Sequence, residues 1–285
     1  MEKLQNAAPA VRTRLIALDL DGTLLNSAKE LSAANRAALE AAAAAGIEIV
    51  PATGRFYRGM PEEIRALPFL RYAITINGAE VWDILSGCSV YSAGIALDRA
   101  LEVLETLDRL PVIYDCYQDG WGWITKDMRD RAADYIDYMP SREMLRRLRT
   151  GVPELKAFLR ERGREVQKLQ LFTRDVSLRE SLMDTLPERF PDLTFTCSLP
   201  NNLEINAAAA NKGDALLALS RRLGLRAEET MAFGDGFNDL SMLRASGVSV
   251  AMGNAAPAVK AAAHYVTDDC DADGVAVFLS QFLPA

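Results

Sequence analysis

LIALDLDGTLL, residues 15–25, begins as a buried strand and ends on chemistry. Its aliphatic run suits a strand covered on both faces, yet it delivers Asp19 and Asp21 one residue apart, followed by Gly22. Burying an unpaired carboxylate costs more than a strand end gains, so the two acids belong at the rim of a sheet, facing something that compensates them. Residues i and i+2 of an extended chain point to the same side. Both acids can therefore face one crevice, while Gly22 lets the chain turn away at once.

Working outward, short β-type runs alternate with helical ones. RLIALDL is followed by SAANRAALEAAAAAG, with Ser32 as N-cap and Gly46 as stop, then IEIVPA, FYRGMPEEIRAL and YAITIN. This βαβαβ order predicts a Rossmann-like parallel sheet with helices on both faces. After NGAEVWD the texture changes. Aromatics cluster in VIYDCYQDGWGWITKDMRDRAADYIDYMP, a basic helix REMLRRLR follows, and EVQKLQLFT alternates in polarity. We read residues 85–197 as an inserted α+β domain, and residues 1–84 with 198–285 as a discontinuous core in which the α/β alternation resumes through TMAFG, DLSMLRA, GVSVAM, PAVKAAA, HYVT and a closing helix from about Gly274.

Charge and composition narrow the function classes. A net charge of -7 argues against a general nucleic-acid or anionic-membrane surface, which would favour an excess of Lys and Arg. No segment is apolar for long enough to cross a bilayer, and MEKLQNAAPAVRTR lacks the core of a signal peptide, so it reads as a loose tail. Cys88, Cys116, Cys197 and Cys270 form no C-x-x-C pair, which disfavours a zinc knuckle or disulfide framework and points to a reducing cytoplasm. His264 is the single histidine, so a His-rich metal site is excluded; without an activated-serine motif, it reads as a strand-start residue.

In an open parallel α/β sheet, ligands gather outside the carboxyl ends of the strands. Here polar clusters follow four of them: DLDGTL, TGR after IEIVPA, NGA after YAITI, and GDGFND after TMAF. Asp19, Asp21, Asp235 and Asp239 beside glycine turns, with no histidine, suit a hard cation such as Mg2+. Thr53, Gly54 and Lys212 supply hydroxyl, backbone N–H and ammonium groups of the kind that hold phosphate. A carboxylate and a phosphate oxygen about 4 Å apart repel by about 4 kcal/mol at an effective dielectric near 20. An anionic nucleophile thus needs the metal and Lys212 to approach phosphate, and the pattern reads as phosphoryl transfer.

On these residues the chain resembles, over nearly its whole length, the haloacid dehalogenase (HAD) superfamily of phosphohydrolases, and within it the Cof-type subclass IIB members. DLDGTLL is similar to the first motif, TGR to the second, NKG to the third and GDGFNDLSML to the fourth, in order; AMGNA and DADGV also look like this subfamily. Asn211 precedes the lysine where serine is the commoner residue. The resemblance implies a core with an inserted C2-type cap that closes over a small phosphorylated metabolite and selects the leaving group, and a monomer or weak homodimer. It implies that Asp19 is the nucleophile forming an aspartyl-phosphate, and that Asp21 is general acid and then base. Mg2+ would be held by Asp19, Asp235 and the backbone carbonyl of Asp21. Thr53 and Lys212 would bind the phosphoryl group, Asn238 would contact phosphate or substrate, and Asp239 would orient Lys212 or a metal-bound water. As an acid, Asp21 must hold a proton at neutral pH, a rise of about three pKa units from its ordinary value, expected here from its anionic neighbours. Sugar and polyol phosphates rank first as substrates.

Other readings stand beside these. A phosphomutase of the phosphomannomutase type would return phosphate to its substrate; a signalling phospho-acceptor or a noncatalytic sugar-phosphate-binding module would not turn over. Arg55 is a substrate ligand or one half of a surface ion pair. Asn77 and Gly78 line the crevice or form a plain turn. Tyr114, Tyr117, Trp121 and Trp123 make an apolar wall over the leaving group or the core of the inserted domain. REMLRRLR reads as a solvated helix face, since the whole chain is acidic.

Overall fold

Leu15, Ile16, Ala17 and Leu18 are all fully buried, so the strand they form (β1, Leu15–Leu18) needs cover on both faces. Our computed structural model describes residues 12–136, 139–197, 199 and 201–282. The tail expected before Arg12 lies outside the described residues. From β1 the chain enters helix Ala33–Ala44, whose first turn is capped by Ser32 accepting from the Asn35 backbone N–H at 3.0 Å. Gly46, at φ +82°, follows the end of that helix. Strand β2 (Glu48–Pro51) then pairs parallel with β1. The strand read from YAITIN (β3, Tyr72–Thr75) touches this layer through one parallel bridge, Ala52 to Ile74. Its main partner is antiparallel: β4 (Glu80–Asp83), in a three-stranded sheet completed by β5 (Cys88–Ser92). The Asn77-Gly78 turn brings the chain straight back, which is why β3 does not extend the parallel sheet.

A second unit follows. Strands β6 (Ile113–Gln118), β7 (Trp121–Thr125), β8 (Arg149–Val152), β9 (Lys168–Phe172), β10 (Leu193–Thr196) and β11 (Asn202–Ala207) form a sheet in the order β10-β11-β9-β6-β7-β8. Alternation sorts its side chains. Tyr114, Cys116, Leu169, Leu171, Leu203 and Ile205 belong to the core that Leu104, Leu159 and Leu182 of three helices complete. Asp115, Tyr117, Lys168, Gln170 and Glu204 alternate with them and are buried too, with Arg149 paired to Asp115 at 3.0 Å. The aromatic wall is thus not met. Tyr114 and Tyr117, three residues apart on one strand, fall on opposite faces, and Trp123 packs into the core on Phe158. Of the basic run, Arg146 and Arg147 are exposed on helix Met139–Leu148 as expected, but Arg149 has passed into β8 and is buried.

The chain then returns through helix Lys212–Arg222 to β12 (Thr230–Gly234), β13 (Val248–Ala251) and β14 (Tyr265–Val266). Among the described residues the main sheet has five parallel strands, ordered β14-β13-β12-β1-β2, with β1 between β12 and β2. The carboxyl ends of β1, β2 and β12 therefore lie side by side. His264 precedes β14, where its Nδ1 meets the Ser249 hydroxyl at 3.0 Å.

The chain divides into two compact units: one of Phe56–Gly59 with Ser92–Ala210, the other of the remaining residues. The inserted unit thus begins and ends later than the 85–197 read from composition. β5 completes the sheet begun by β3 and β4, while β11 pairs with β9 and β10. Phe56–Gly59 joins it because Phe56 packs on Tyr117, with ring centroids 4.9 Å apart, and the Arg58 guanidinium lies 3.8 Å over Trp121. No helix among the described residues is long and apolar enough to cross a membrane.

Candidate active site

Asp19 stands one residue beyond β1, tied to the neighbouring strand by its N–H to the Phe233 carbonyl at 3.1 Å, and is 7% exposed. Lys212 opens its helix behind the N-cap Asn211, whose side chain accepts from Asp214 N–H at 2.8 Å. Asparagine caps as serine would, so the departure in the third motif leaves the helix start intact. The Lys212 ammonium is fully buried and donates to Oδ1 of Asp19 and Oδ1 of Asp239, each at 2.6 Å. Asp239 is also held from behind, its Oδ2 accepting from the backbone N–H groups of Asp235 (3.0 Å) and Gly236 (2.9 Å).

Carboxylate oxygens of Asp19, Asp235 and Asp239 all lie within 4.8 Å of one another. Three acids share one ammonium, and the electrostatics follow. Burial pushes the Asp19 carboxyl up to about 7, helped by Asp239 and Asp235 and opposed by Lys212. Asp235 is also raised, by burial first and then by Asp239, against the Thr23 hydroxyl that donates to it at 2.9 Å. Burial works against the Lys212 charge, but Asp19 and Asp239 outweigh it and hold the ammonium above its ordinary range. A second cation would relieve the excess. Asp239 is engaged through both oxygens, so Asp19 and Asp235 are the acids placed to hold it, and an all-oxygen carboxylate set fits a hard divalent ion.

Asp21 behaves otherwise. Arg55 grips it with two bonds, Nε to Oδ2 at 3.0 Å and a terminal nitrogen to Oδ1 at 2.9 Å, and Lys29 adds an ammonium at 3.1 Å. Burial raises this carboxyl, but Arg55 and Lys29 more than reverse that and leave it below its usual value. The expectation that anionic neighbours raise Asp21 is therefore corrected: its nearest partners are cationic. Gly22, at φ +94°, provides the turn that separates the two acids, and a Cβ there would lie 2.6 Å from Oδ2 of Asp235.

The rim is built by the second and fourth motifs. The Thr53 hydroxyl, on a fully buried residue, accepts from Arg55 N–H at 3.2 Å. A Cβ on Gly54 would come within 3.0 Å of the Asn77 carbonyl oxygen, which itself accepts from the Asn238 amide at 3.1 Å. Ile76 and Asn77 both hold positive φ, 53° and 55°, a strained pair for non-glycine residues. Gly78 makes this turn possible: its φ is +93° and an added Cβ would lie 2.1 Å from the Asn211 carbonyl at the Lys212 helix start. Gly78→Ala is expected to cost about 3 kcal/mol or more, read by urea denaturation; a loss below about 1 kcal/mol would mean the turn relaxes freely.

Asp19, Asp235, Asp239 and Lys212 thus come together, Thr53, Gly54 and Asn238 are tied to the same set of strand ends, and Arg55 with Asp21 forms a pair beside them. Three contributors escaped the sequence reading. Thr23 and Asn254 stand in stretches noted for their pattern, DLDGTLL and AMGNA; Asn254 donates to the Gly22 carbonyl at 2.8 Å. Lys29 has no motif to announce it and owes its position to a left-handed turn at φ 65°.

Against known proteins, a family model described as haloacid dehalogenase-like hydrolase matches residues 16–279. The chain is 30% identical over 266 residues to 5-amino-6-(5-phospho-D-ribitylamino)uracil phosphatase YcsE of Bacillus subtilis, covering 93% of this chain and 94% of that one. It is 31% identical over 280 residues to pyridoxal phosphate phosphatase YbhA of Escherichia coli, covering 95% and 99%. A solved structure of a haloacid dehalogenase-like hydrolase from Bacteroides thetaiotaomicron superposes with a TM-score of 0.81 at 29% identity, over 95% of this chain and 100% of that one.

Proposed function

The chain belongs to the haloacid dehalogenase-like hydrolases, enzymes here of the phosphoric-monoester class, and from that premise we propose a Mg2+-dependent phosphatase working through an aspartyl-phosphate on Asp19. The observation that carries this reading is the buried contact of Lys212 with Asp19 and Asp239. It leaves Oδ2 of Asp19 outside the lysine contact and places a fixed positive charge where a phosphoryl group must come.

An Asp19 oxygen attacks phosphorus as the bond to the leaving oxygen breaks, and that oxygen takes a proton from Asp21. Water then attacks the phosphoryl group, gives its proton to Asp21, and the bond to Asp19 breaks, restoring the carboxylate. Lys212, the Thr53 hydroxyl and the Gly54 N–H hold the phosphoryl oxygens; Asn238 contacts phosphate or substrate; Asp239 orients Lys212. When bound, Mg2+ would be held by Asp19, Asp235 and the Asp21 carbonyl and would offset the charge between carboxylate and phosphate. Arg55 and Lys29 keep Asp21 ionised, the form the water step needs. Arrival of phosphate draws Arg55 from it and lets Asp21 take the proton the first step needs.

Asp21→Asn should therefore slow phosphoryl transfer from alkyl phosphates by about 10² or more and from aryl phosphates, whose leaving groups depart unaided, far less. Single-turnover formation of the phosphoenzyme is the measurement; equal losses on both classes would remove Asp21 from the acid role. The substrate belongs among small phosphorylated metabolites. The first relative's named substrate joins a ribityl chain to a uracil ring and the second's is pyridoxal phosphate, so ring-bearing esters stand beside the sugar and polyol phosphates ranked first from sequence. Phosphate release across such a panel, with Mg2+ and with chelator, tests the proposal. Release dependent on the metal and on Asp19 supports it, and an isomerised phosphate ester in place of free phosphate would replace hydrolase with mutase.

A further inference from the structure

We propose that Phe237 determines specificity at this site: its ring is a platform on which a flat aromatic leaving group stacks, so that phosphate esters of planar heteroaromatic alcohols are preferred. The inference rests on the phosphatase reading and deepens it. Phe237 is 67% exposed, the one large exposed apolar side chain, among the described residues, that falls within the four motifs. It lies between Asp235, placed to hold the metal, and Asn238, bonded to Asn77 on the rim.

The fold does not ask for an aromatic here. Asp239 closes the turn through the N–H groups of Asp235 and Gly236, and the Asn238 amide fastens its outer edge, so position 237 contributes backbone alone to the turn. An exposed phenyl ring on a turn that polar contacts already hold is surface waiting to be covered. Because the turn is fixed, the ring's base is positioned in advance of the ligand. Phenylalanine brings no donor or acceptor, so a polyol laid on it would lose water from its hydroxyls without a hydrogen bond in return. A planar ring loses little and gains the offset or edge contact that aromatic pairs favour.

Three alkyl phosphates of similar leaving-group acidity separate the possibilities: pyridylmethyl phosphate (flat), cyclohexylmethyl phosphate (apolar, not flat) and glycerol phosphate (a polyol). Phe237→Ala should lower the kcat/KM ratio of the pyridylmethyl to the glycerol ester about tenfold, through KM, with Phe237→Trp keeping the ratio and Phe237→Leu failing to restore it. A ratio unchanged in Phe237→Ala overturns the proposal. So does an equal fall for the pyridylmethyl and cyclohexylmethyl esters restored by Leu, which would mark a merely apolar contact. Equilibrium binding of the same esters to Asp19→Asn, with and without Phe237→Ala, reads the preference without turnover. If the wild type releases no phosphate yet binding to Asp19→Asn discriminates through Phe237, the phosphatase reading fails and this one stands.

Discussion

Asp19→Asn should abolish turnover, lowering kcat by about 10⁴ or more, while the protein remains folded. Asparagine matches the shape of aspartate and can still accept from Lys212 at the same oxygen, but it cannot form the acyl-phosphate. The variant also changes the dependence of stability on pH, and the sign is determined by burial. In the folded, metal-free protein the Asp19 carboxyl is pushed up to about 7 from its ordinary 3.8. Between those values the native state holds a proton that the unfolded chain has lost, so this group's contribution to stability falls as pH rises from about 4 towards 7. Asp19→Asn should flatten that slope in chelator, and Mg2+ should flatten it in the wild type by stabilising the ionised form. Thermal unfolding at pH 5 and pH 7.5, with and without Mg2+, is the measurement. Turnover surviving in Asp19→Asn would remove the nucleophile from the proposal, and an identical slope in both proteins would place the excess charge elsewhere.

Much of this site could be read before the fold because each part follows a strand whose burial is written in its composition. LIAL, IEIV and TMAF are apolar without interruption, and a parallel strand buried on both faces has no other way to end than on the polar residues that meet the ligand. Lys212 was found for a similar reason, at a helix start between a capping residue and a glycine. Sequence could not supply the partners of Asp21. Arg55 comes from the end of a different strand, and Lys29 from a turn whose left-handed backbone no lysine advertises. Reading Asp21 by its acidic neighbours in sequence gave the wrong direction for its proton affinity. The inserted unit failed differently. Its helix Met139–Leu148 runs directly into β8, so Arg149 was counted with a solvated helix when it is a buried partner of Asp115. Composition also cannot mark where one sheet hands over to another, which decided the placement of β5 and β11.

The second large effect is at Lys212. Lys212→Met keeps most of the buried stem and deletes the one ammonium that faces Asp19 and Asp239 at 2.6 Å each. Removing one partner of a buried ion pair leaves uncompensated charge and costs about 3–5 kcal/mol; here two carboxylates lose their counterion, so the upper end is expected at pH 7.5 in chelator. Activity should fall by about 10² to 10³ from the lost donor to the phosphoryl group alone, and further because Asp19, freed of the ammonium that pulls its proton affinity down, is protonated over a wider pH range. A second substitution separates these effects. Asp239→Asn added to Lys212→Met removes one of the stranded charges, and its side-chain oxygen can still accept from the Asp235 and Gly236 N–H groups that Oδ2 of Asp239 now serves. Stability should recover in part, whereas activity should not, because nothing positive has been returned to the phosphoryl position. Urea denaturation with steady-state kinetics on the same three proteins reads both. A Lys212→Met protein as stable as the wild type at pH 7.5 would mean that the carboxylates find protons or solvent without difficulty, and the tight cluster of Asp19, Asp235 and Asp239 would then lose its claim to need a cation.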